Sequence, residues 1–235
     1  MHVALFVPCF VDMFFPHTAK ATLSLLRHLD LDVAFPSHQT CCGQPQYNAG
    51  HRDLATELAH KFCSVFSPYD AIVSPSGSCT AMVRHHYPEL IGDNPVTHRV
   101  FELSEFLAVQ MNHIDFNASL PGSAAVHIGC HARRQLGIAP HVHALLRHVR
   151  GLTTVSVPSD TWCCGFGGTF SVKFPEVSAS MGKRKLAPIL DAGVDYLIST
   201  DPSCSMHMQG LLRRQGVAKP EIVHLADVLA TGIQS

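Results

Sequence analysis

The sequence is short of charge. Only 15% of its residues are Asp, Glu, Lys or Arg, and these leave a net charge of −1 with histidine neutral. A broad basic field for nucleic acid is therefore excluded. So little charge instead implies large interfaces or much covered surface. Long apolar runs are missing as well: no stretch approaches the roughly 18 apolar residues of a membrane span. Met1-His2-Val3 leads straight into Ala4-Leu5-Phe6-Val7-Pro8-Cys9, without the basic segment of a secretory leader. These absences predict a cytoplasmic protein with no membrane span and no nucleic-acid partner. In that compartment thiols stay reduced and free for metal.

Several motifs are absent. The C-x2-C knuckle usual in zinc sites does not occur, nor does the C-x2-C-x2-C run of ferredoxins. Gly165 to Gly168 follows a pair of cysteines and lacks the G-x-G-x-x-G spacing of a dinucleotide site. No Ser-His-Asp or paired-carboxylate constellation can be read from spacing.

What the chain does have is cysteine in a doubled pattern. Cys9, Cys41-Cys42-Gly43 and Cys79 form one copy; Cys130, Cys163-Cys164-Gly165 and Cys204 form the second. Eight of the nine cysteines belong to it, and matching positions lie 121, 122, 122 and 125 residues apart. Soft thiolates grouped in this way are candidate ligands for a metal or an iron–sulfur cluster, built twice. A disulfide between Cys41 and Cys42 is disfavoured, because adjacent Cα atoms lie ~3.8 Å apart and disulfides start near ~4.4 Å. The glycine after each pair lets the backbone turn tightly beside a metal. Four cysteines per copy would also satisfy a tetrahedral zinc, so zinc in one half stands as an alternative. Eight merely buried thiols are a third reading, which the repeated spacing opposes.

The repeat reaches beyond cysteine. Ala4 to Cys9 matches Ala125 to Cys130, an apolar strand running into a cysteine. Asp70 to Ser74 matches Asp195 to Ser199, each a short strand followed by a Pro/Ser loop and the last cysteine. Leu103 to Ala108 matches Leu225 to Ala230, an amphipathic helix closing each half. Between these anchors, helical spacing runs over 18–29, over 54–66 with Leu54, Leu58, Phe62 and Val65 on one side, over 141–149 and over 177–190. Strands are expected at 32–35 and 153–157. The predicted fold class is α/β, with two related halves in a pseudo-twofold duplication, each a small parallel sheet covered by helices. The first half is expected over 1–115 and the second over 122–235, with the seam between Met111 and Ser123. The 46% hydrophobic content and mean hydropathy of +0.15 fit a well-buried core.

Four segments carry a family resemblance. They are Phe6 to Phe14, Cys41-Cys42-Gly43-Gln44-Pro45, Ser74 to Cys79, and Cys163 to Lys173. With these the chain resembles the lactate utilization protein A family, within the wider group of CCG-domain proteins. That group includes the cysteine-rich subunit of heterodisulfide reductase and the iron–sulfur subunit of glycolate oxidase. The resemblance covers essentially the whole chain. It implies an iron–sulfur redox subunit of an L-lactate oxidation system, with clusters of the [4Fe-4S] kind held by the eight cysteines. It also implies two partners, a ferredoxin-type iron–sulfur dehydrogenase subunit and a third lactate-utilization subunit, and a small carboxylate as substrate of the complex. In the heterodisulfide-reductase-like members the last cysteine opens a C-x-x-C pair and gives a fifth ligand. Here Met82 and His207 stand at those places, a thioether in one copy and an imidazole in the other.

The remaining candidates read more plainly. Cys63 falls outside the pattern, as a packed core thiol in the 54–66 helix. His131 reads as a helix-start residue beside Cys130, with a role near the metal as the alternative. Lys183-Arg184-Lys185 reads as a solvated helix face. Most of the seventeen histidines read as surface or helix-end residues.

Overall fold

The computed structural model describes residues 1–233. The first half runs β1 (His2–Leu5), α1 (Cys9–Phe14), α2 (Pro16–His28), β2 (Asp32–Ala34), α3 (Gln44–Asn48), α4 (Arg52–Phe66), β3 (Ala71–Ser74), α5 (Gly77–Ala81), α6 (Tyr87–Ile91), β4 (Val100–Glu102) and α7 (Leu103–Glu105). The second runs β5 (Ser119–His127), α8 (Ala139–Leu146), β6 (Arg150–Thr154), α9 (Thr169–Lys173), α10 (Pro175–Asp191), β7 (Tyr196–Ser199), α11 (Pro202–Arg214), β8 (Glu221–His224) and α12 (Leu225–Ala230). Each half is a four-stranded, wholly parallel sheet, ordered β2-β1-β3-β4 and β6-β5-β7-β8. The duplicated α/β architecture expected from the sequence is the one observed.

Side-chain alternation along the strands sorts the core into layers. Val3 and Leu5 point into one buried cluster with Ala124 and Val126 of the second half, so the halves share a core. Leu25 and Leu26 from α2 and Val228 and Leu229 from α12 fill the same layer. Ala4 and Phe6 face the opposite way, into an outer cluster with Phe62 and Phe66 of α4. Ala125 does the same in the second half, beside Leu186 and Ile189 of α10. The helices that close one half pack on the other, α12 against α2 and α7 against α8, as an approximate twofold requires. Thr18 fixes one of these contacts by donating to Asp227 at 2.8 Å.

Several boundaries differ from the sequence reading. The buried side of α4 is Ala55, Ala59, Phe62, Cys63 and Phe66, while Leu54 is half exposed, so the apolar face is rotated toward the small residues that pack against the sheet. The strand expected over 153–157 lies at Arg150–Thr154. Only part of the expected seam is irregular, because β5 already begins at Ser119. Cys79 and Cys204 sit in the helices α5 and α11 rather than in loops. The side chains of Ser76 and Asp201 cap those helices and make this possible.

Candidate metal centre

In an open parallel sheet, ligands collect beyond the strand C-termini where the strand order reverses. That point lies between β1 and β3 in one half and between β5 and β7 in the other. Cys9 opens the helix after β1, and Cys79 lies in the helix after β3. Cys130 follows β5 and Cys204 follows β7. The Cys-Cys-Gly segments enter from the side on the long connections after β2 and β6.

Specific bonds hold those segments in place. Gln39 accepts from the Val7 amide at 2.7 Å and donates to the Leu5 carbonyl at 3.2 Å, tying the first loop to the end of β1. The buried Tyr87 hydroxyl donates to the Cys42 carbonyl at 3.0 Å. In the second loop Ser178 donates to the Gly165 carbonyl at 2.8 Å, and the Lys185 ammonium donates to the Ser159 carbonyl. Gly43 and Gly165 both lie in the left-handed region, at φ of +80° and +91°. Each glycine amide points back at a sulfur, Gly43 to Cys41 and Gly165 to Cys163, both at 3.4 Å. The Phe166 amide reaches Cys164 at 3.5 Å.

The structure brings the four cysteines of each copy together. Cys9 and Cys41 lie 3.7 Å apart, and Cys42 contacts both Cys41 and Cys79. Cys164 and Cys204 lie 3.1 Å apart, and Cys163 contacts Cys130 and Cys164. The two sets were expected to close separately. Each gathers its own four thiols, and in addition all eight cysteines line one cleft between the halves. The walls meet closely: a β-carbon on Gly77 would lie 2.4 Å from that of Ala132. Asp201 bridges the two last-cysteine helices, accepting from Ser203 in its own half and from the Ser78 amide of the other at 2.9 Å. Phe10 and Phe166 meet edge to face across the cleft, with ring centres 5.3 Å apart.

Crowding splits the thiols electrostatically. Bonds from Cys42 and Cys9 draw Cys41 down to about 3, and bonds from Cys130 and Cys164 draw Cys163 down to about 2. Their neighbours move the other way: the bond to Cys41, the bond to Cys79 and burial hold Cys42 protonated, and Cys164 behaves alike. Each set therefore has a thiolate at its middle and protons that a cation would displace. Four soft sulfurs, half-buried or buried, with backbone amides aimed at them, fit an iron–sulfur group or a zinc.

Met82 and His207 take other places. Met82 is fully buried in the outer cluster with Phe6 and Cys42. The His207 Nε2 lies 3.5 Å from the Ser178 hydroxyl. Neither is among the residues that line the cleft. His131 does line it, and its Nδ1 lies 3.7 Å from the Cys130 sulfur. Cys63 is buried beside Phe62, as expected of a core thiol.

Two residues near the second set escaped the sequence reading. Lys185 is wholly buried, not part of a solvated face; burial lowers it to about 8 although Asp160 favours its charge. Its signal lay in the helix register, since α10 buries Ser178, Gly182, Lys185, Leu186 and Ile189 on one side. His127 is also buried, and a ligand nitrogen of its ring, Cys164 Sγ and Cys204 Sγ lie within 4.8 Å of one another. Neither of its ring nitrogens has a hydrogen-bond partner among the described residues, a burial that by itself costs about 1–3 kcal/mol per group. Burial and then Lys185 hold it down to about 3, so the ring is neutral and keeps a lone pair. Its strand position, matching Phe6 at the offset of 121 that relates Cys9 to Cys130, was the available clue.

A duplicated parallel α/β fold, with two four-thiol sets pressed onto one cleft, defines a cysteine-rich class of protein, and comparison agrees. The CCG family model, described as "Cysteine-rich domain", matches residues 3–84 and 124–209. Lactate utilization protein A of an Exiguobacterium species is 42% identical over 99% of this chain and 98% of its own length. Lactate utilization protein A 1 of Bacillus cereus is 40% identical over 97% of this chain and 98% of its own. The chain belongs to the lactate utilization protein A family of CCG cysteine-rich proteins. A solved structure of a hypothetical protein from Helicobacter pylori shares the fold, with a TM-score of 0.65 over 100% of this chain and 49% of that one, at 12% identity. No described helix is long and apolar enough to cross a membrane.

Proposed function

We propose that the chain is the iron–sulfur redox subunit of a multi-component L-lactate oxidation system, working in the cytoplasm. The observation that carries this reading is the convergence of Cys9, Cys41, Cys42 and Cys79 with Cys130, Cys163, Cys164 and Cys204 on one cleft. The relatives named for lactate utilization support the pathway. The proposed ligands are these eight cysteines, and the two halves, 1–115 and 122–235, work as one unit. Iron–sulfur centres, when bound, exchange single electrons at potentials set by charge, hydrogen bonds and exposure.

The chain's own residues do the rest. Gly43, Gly165 and Phe166 aim amides at sulfur, which favours the reduced, more negative state. The outer clusters seal the sulfurs from solvent on the side away from the cleft. The sequence carries no nicotinamide fingerprint or ferredoxin run, so electrons enter and leave through partners. These are a ferredoxin-type iron–sulfur dehydrogenase subunit and a third lactate-utilization subunit, with a small carboxylate as substrate of the complex.

The test is iron, sulfide and zinc content of anaerobically purified protein, with EPR after reduction. Several irons per chain and a reducible signal are expected. A colourless, iron-free protein after anaerobic reconstitution overturns the reading, and zinc alone selects a structural scaffold. The cleft favours one further reading, because it reaches both thiol sets at once. Turnover of a thiol/disulfide pair by the isolated chain would select a heterodisulfide-reductase-like catalyst.

A further inference from the structure

We propose that His127 supplies an imidazole ligand to the metal centre of the second half, making that centre mixed thiolate–imidazole beside an all-thiolate first one. The proposal rests on the reading that the cysteines hold metal, and it concerns a residue that no comparison assigns. Three observations carry it.

The first is reach. A ring nitrogen of His127, Cys164 Sγ and Cys204 Sγ lie within 4.8 Å of one another, and the two sulfurs are 3.1 Å apart. In a tetrahedral centre, metal–sulfur bonds of ~2.3 Å and metal–nitrogen bonds of ~2.0–2.1 Å set nitrogen and sulfur about 3.6 Å apart, within about 1 Å of the spacing found here. Small side-chain shifts therefore bring all three onto one metal. The second is the unpartnered ring. His127 is 1% exposed, and neither nitrogen finds a hydrogen-bond partner among the described residues. His207 and His131 differ, with a hydroxyl at 3.5 Å and a sulfur at 3.7 Å.

The third is the strand register. His127 lies two residues after Ala125 and shares its side of β5, the side that faces the outer cluster containing Cys164. The equivalent residue, Phe6, packs edge-on against Phe62 and Phe66 at 5.0 and 5.6 Å. An aromatic hydrocarbon thus suffices to fill that position beside one thiol set, and an imidazole replaces it beside the other. A metal ligand is the role that uses the imidazole's lone pair.

The experiment labels the full chain with ¹⁵N-histidine, purifies it anaerobically with its metal and records pulsed EPR of the reduced state. A diamagnetic metal is read instead by X-ray absorption at its own edge, where imidazole outer-shell scattering reports the same ligand. A directly bound histidine nitrogen is expected on one centre only. It should vanish in His127→Phe and persist in His131→Phe and His207→Phe. Should His127→Phe not fold, His127→Gln, which carries no labelled nitrogen, is read for the same loss. Metal-loaded protein with only sulfur ligands overturns this inference and leaves the iron–sulfur reading standing. Protein that holds no metal overturns both.

Discussion

The two halves place the same four thiols at the same turns of the same fold, yet surround them differently. Beside the first set stand Phe6, Cys63 and Met82, all buried and all without charge. The offsets that relate the cysteines put His127, Lys185 and His207 at the matching places of the second. The caps differ as well: Ser76 against Asp201, and Glu102 against His224. The cysteine positions and chain turns are thus shared, while the electrostatic surroundings are not. A buried ammonium near Cys164 and Cys204 stabilises negative charge there. Of the two proposed centres, the second should therefore be the easier to reduce.

The largest expected effect follows from the ligands. Cys42→Ser and Cys164→Ser should each remove the metal of one half and leave that of the other, read by metal stoichiometry and by which spectroscopic signal survives. Loss of both signals from either variant would mean one joint centre and break the comparison. Next come the glycines. A β-carbon on Gly165 would meet the Ser178 carbonyl at 2.5 Å and Met181 at 2.9 Å, whereas on Gly43 the nearest atom is 3.4 Å away. Gly165→Ala should cost about 3 kcal/mol or more, from left-handed strain and overpacking together. Gly43→Ala should cost about 1–2 kcal/mol, from strain alone. Denaturant unfolding of the two variants checks the order.

The caps after β4 and β8 give opposite pH limbs. Burial raises Glu102 from 4.5 to about 7, against the bonds it accepts from Ser104 and Glu105; like-charged Glu105 adds to the rise. The folded chain then keeps a proton that the unfolded chain releases. The stability this contributes is full below about 4.5 and is lost as pH rises through 7, roughly 3 kcal/mol in all. Burial lowers His224, so its contribution is present above about 6.5 and falls away on acidification. Glu102→Gln should flatten the alkaline side of a stability profile and leave the acid side to His224. An unchanged profile would mean that the Glu102 carboxyl is ionised in the fold. The smallest effect separates the N-caps. Asp201→Ala should cost about 2 kcal/mol, because Asp201 also accepts from Ser78 across the halves. Ser76→Ala, whose bond to the Cys79 amide is long at 3.5 Å, should cost nearer ~0.5 kcal/mol.

Much of this was legible in the sequence, and the reasons are local. Ala4-Leu5-Phe6 and Ala125-Val126-His127 read as strands because buried parallel strands are short apolar runs. The cysteine offsets announced the duplication. The short strands β4 and β8 were not legible, since Val100–Glu102 and Glu221–His224 each hold only two consecutive apolar residues and end on a polar one. The shared cleft was not legible either, because the contact of Gly77 with Ala132 joins residues distant in the chain. Lys185 and His127 were hidden by residue type. Both are polar residues that ordinarily face solvent, and only helix register and strand parity turn them inward.

The claim that two centres with identical cysteine ligands differ through their surroundings is tested most directly by potentiometric EPR. The samples are anaerobically purified unmutated protein, Cys164→Ser and Lys185→Met. Two signals titrating at different potentials are expected. The higher one should be absent from Cys164→Ser and shifted downward in Lys185→Met, and the lower one should be unmoved. Two signals at one potential, both indifferent to Lys185, would contradict the account.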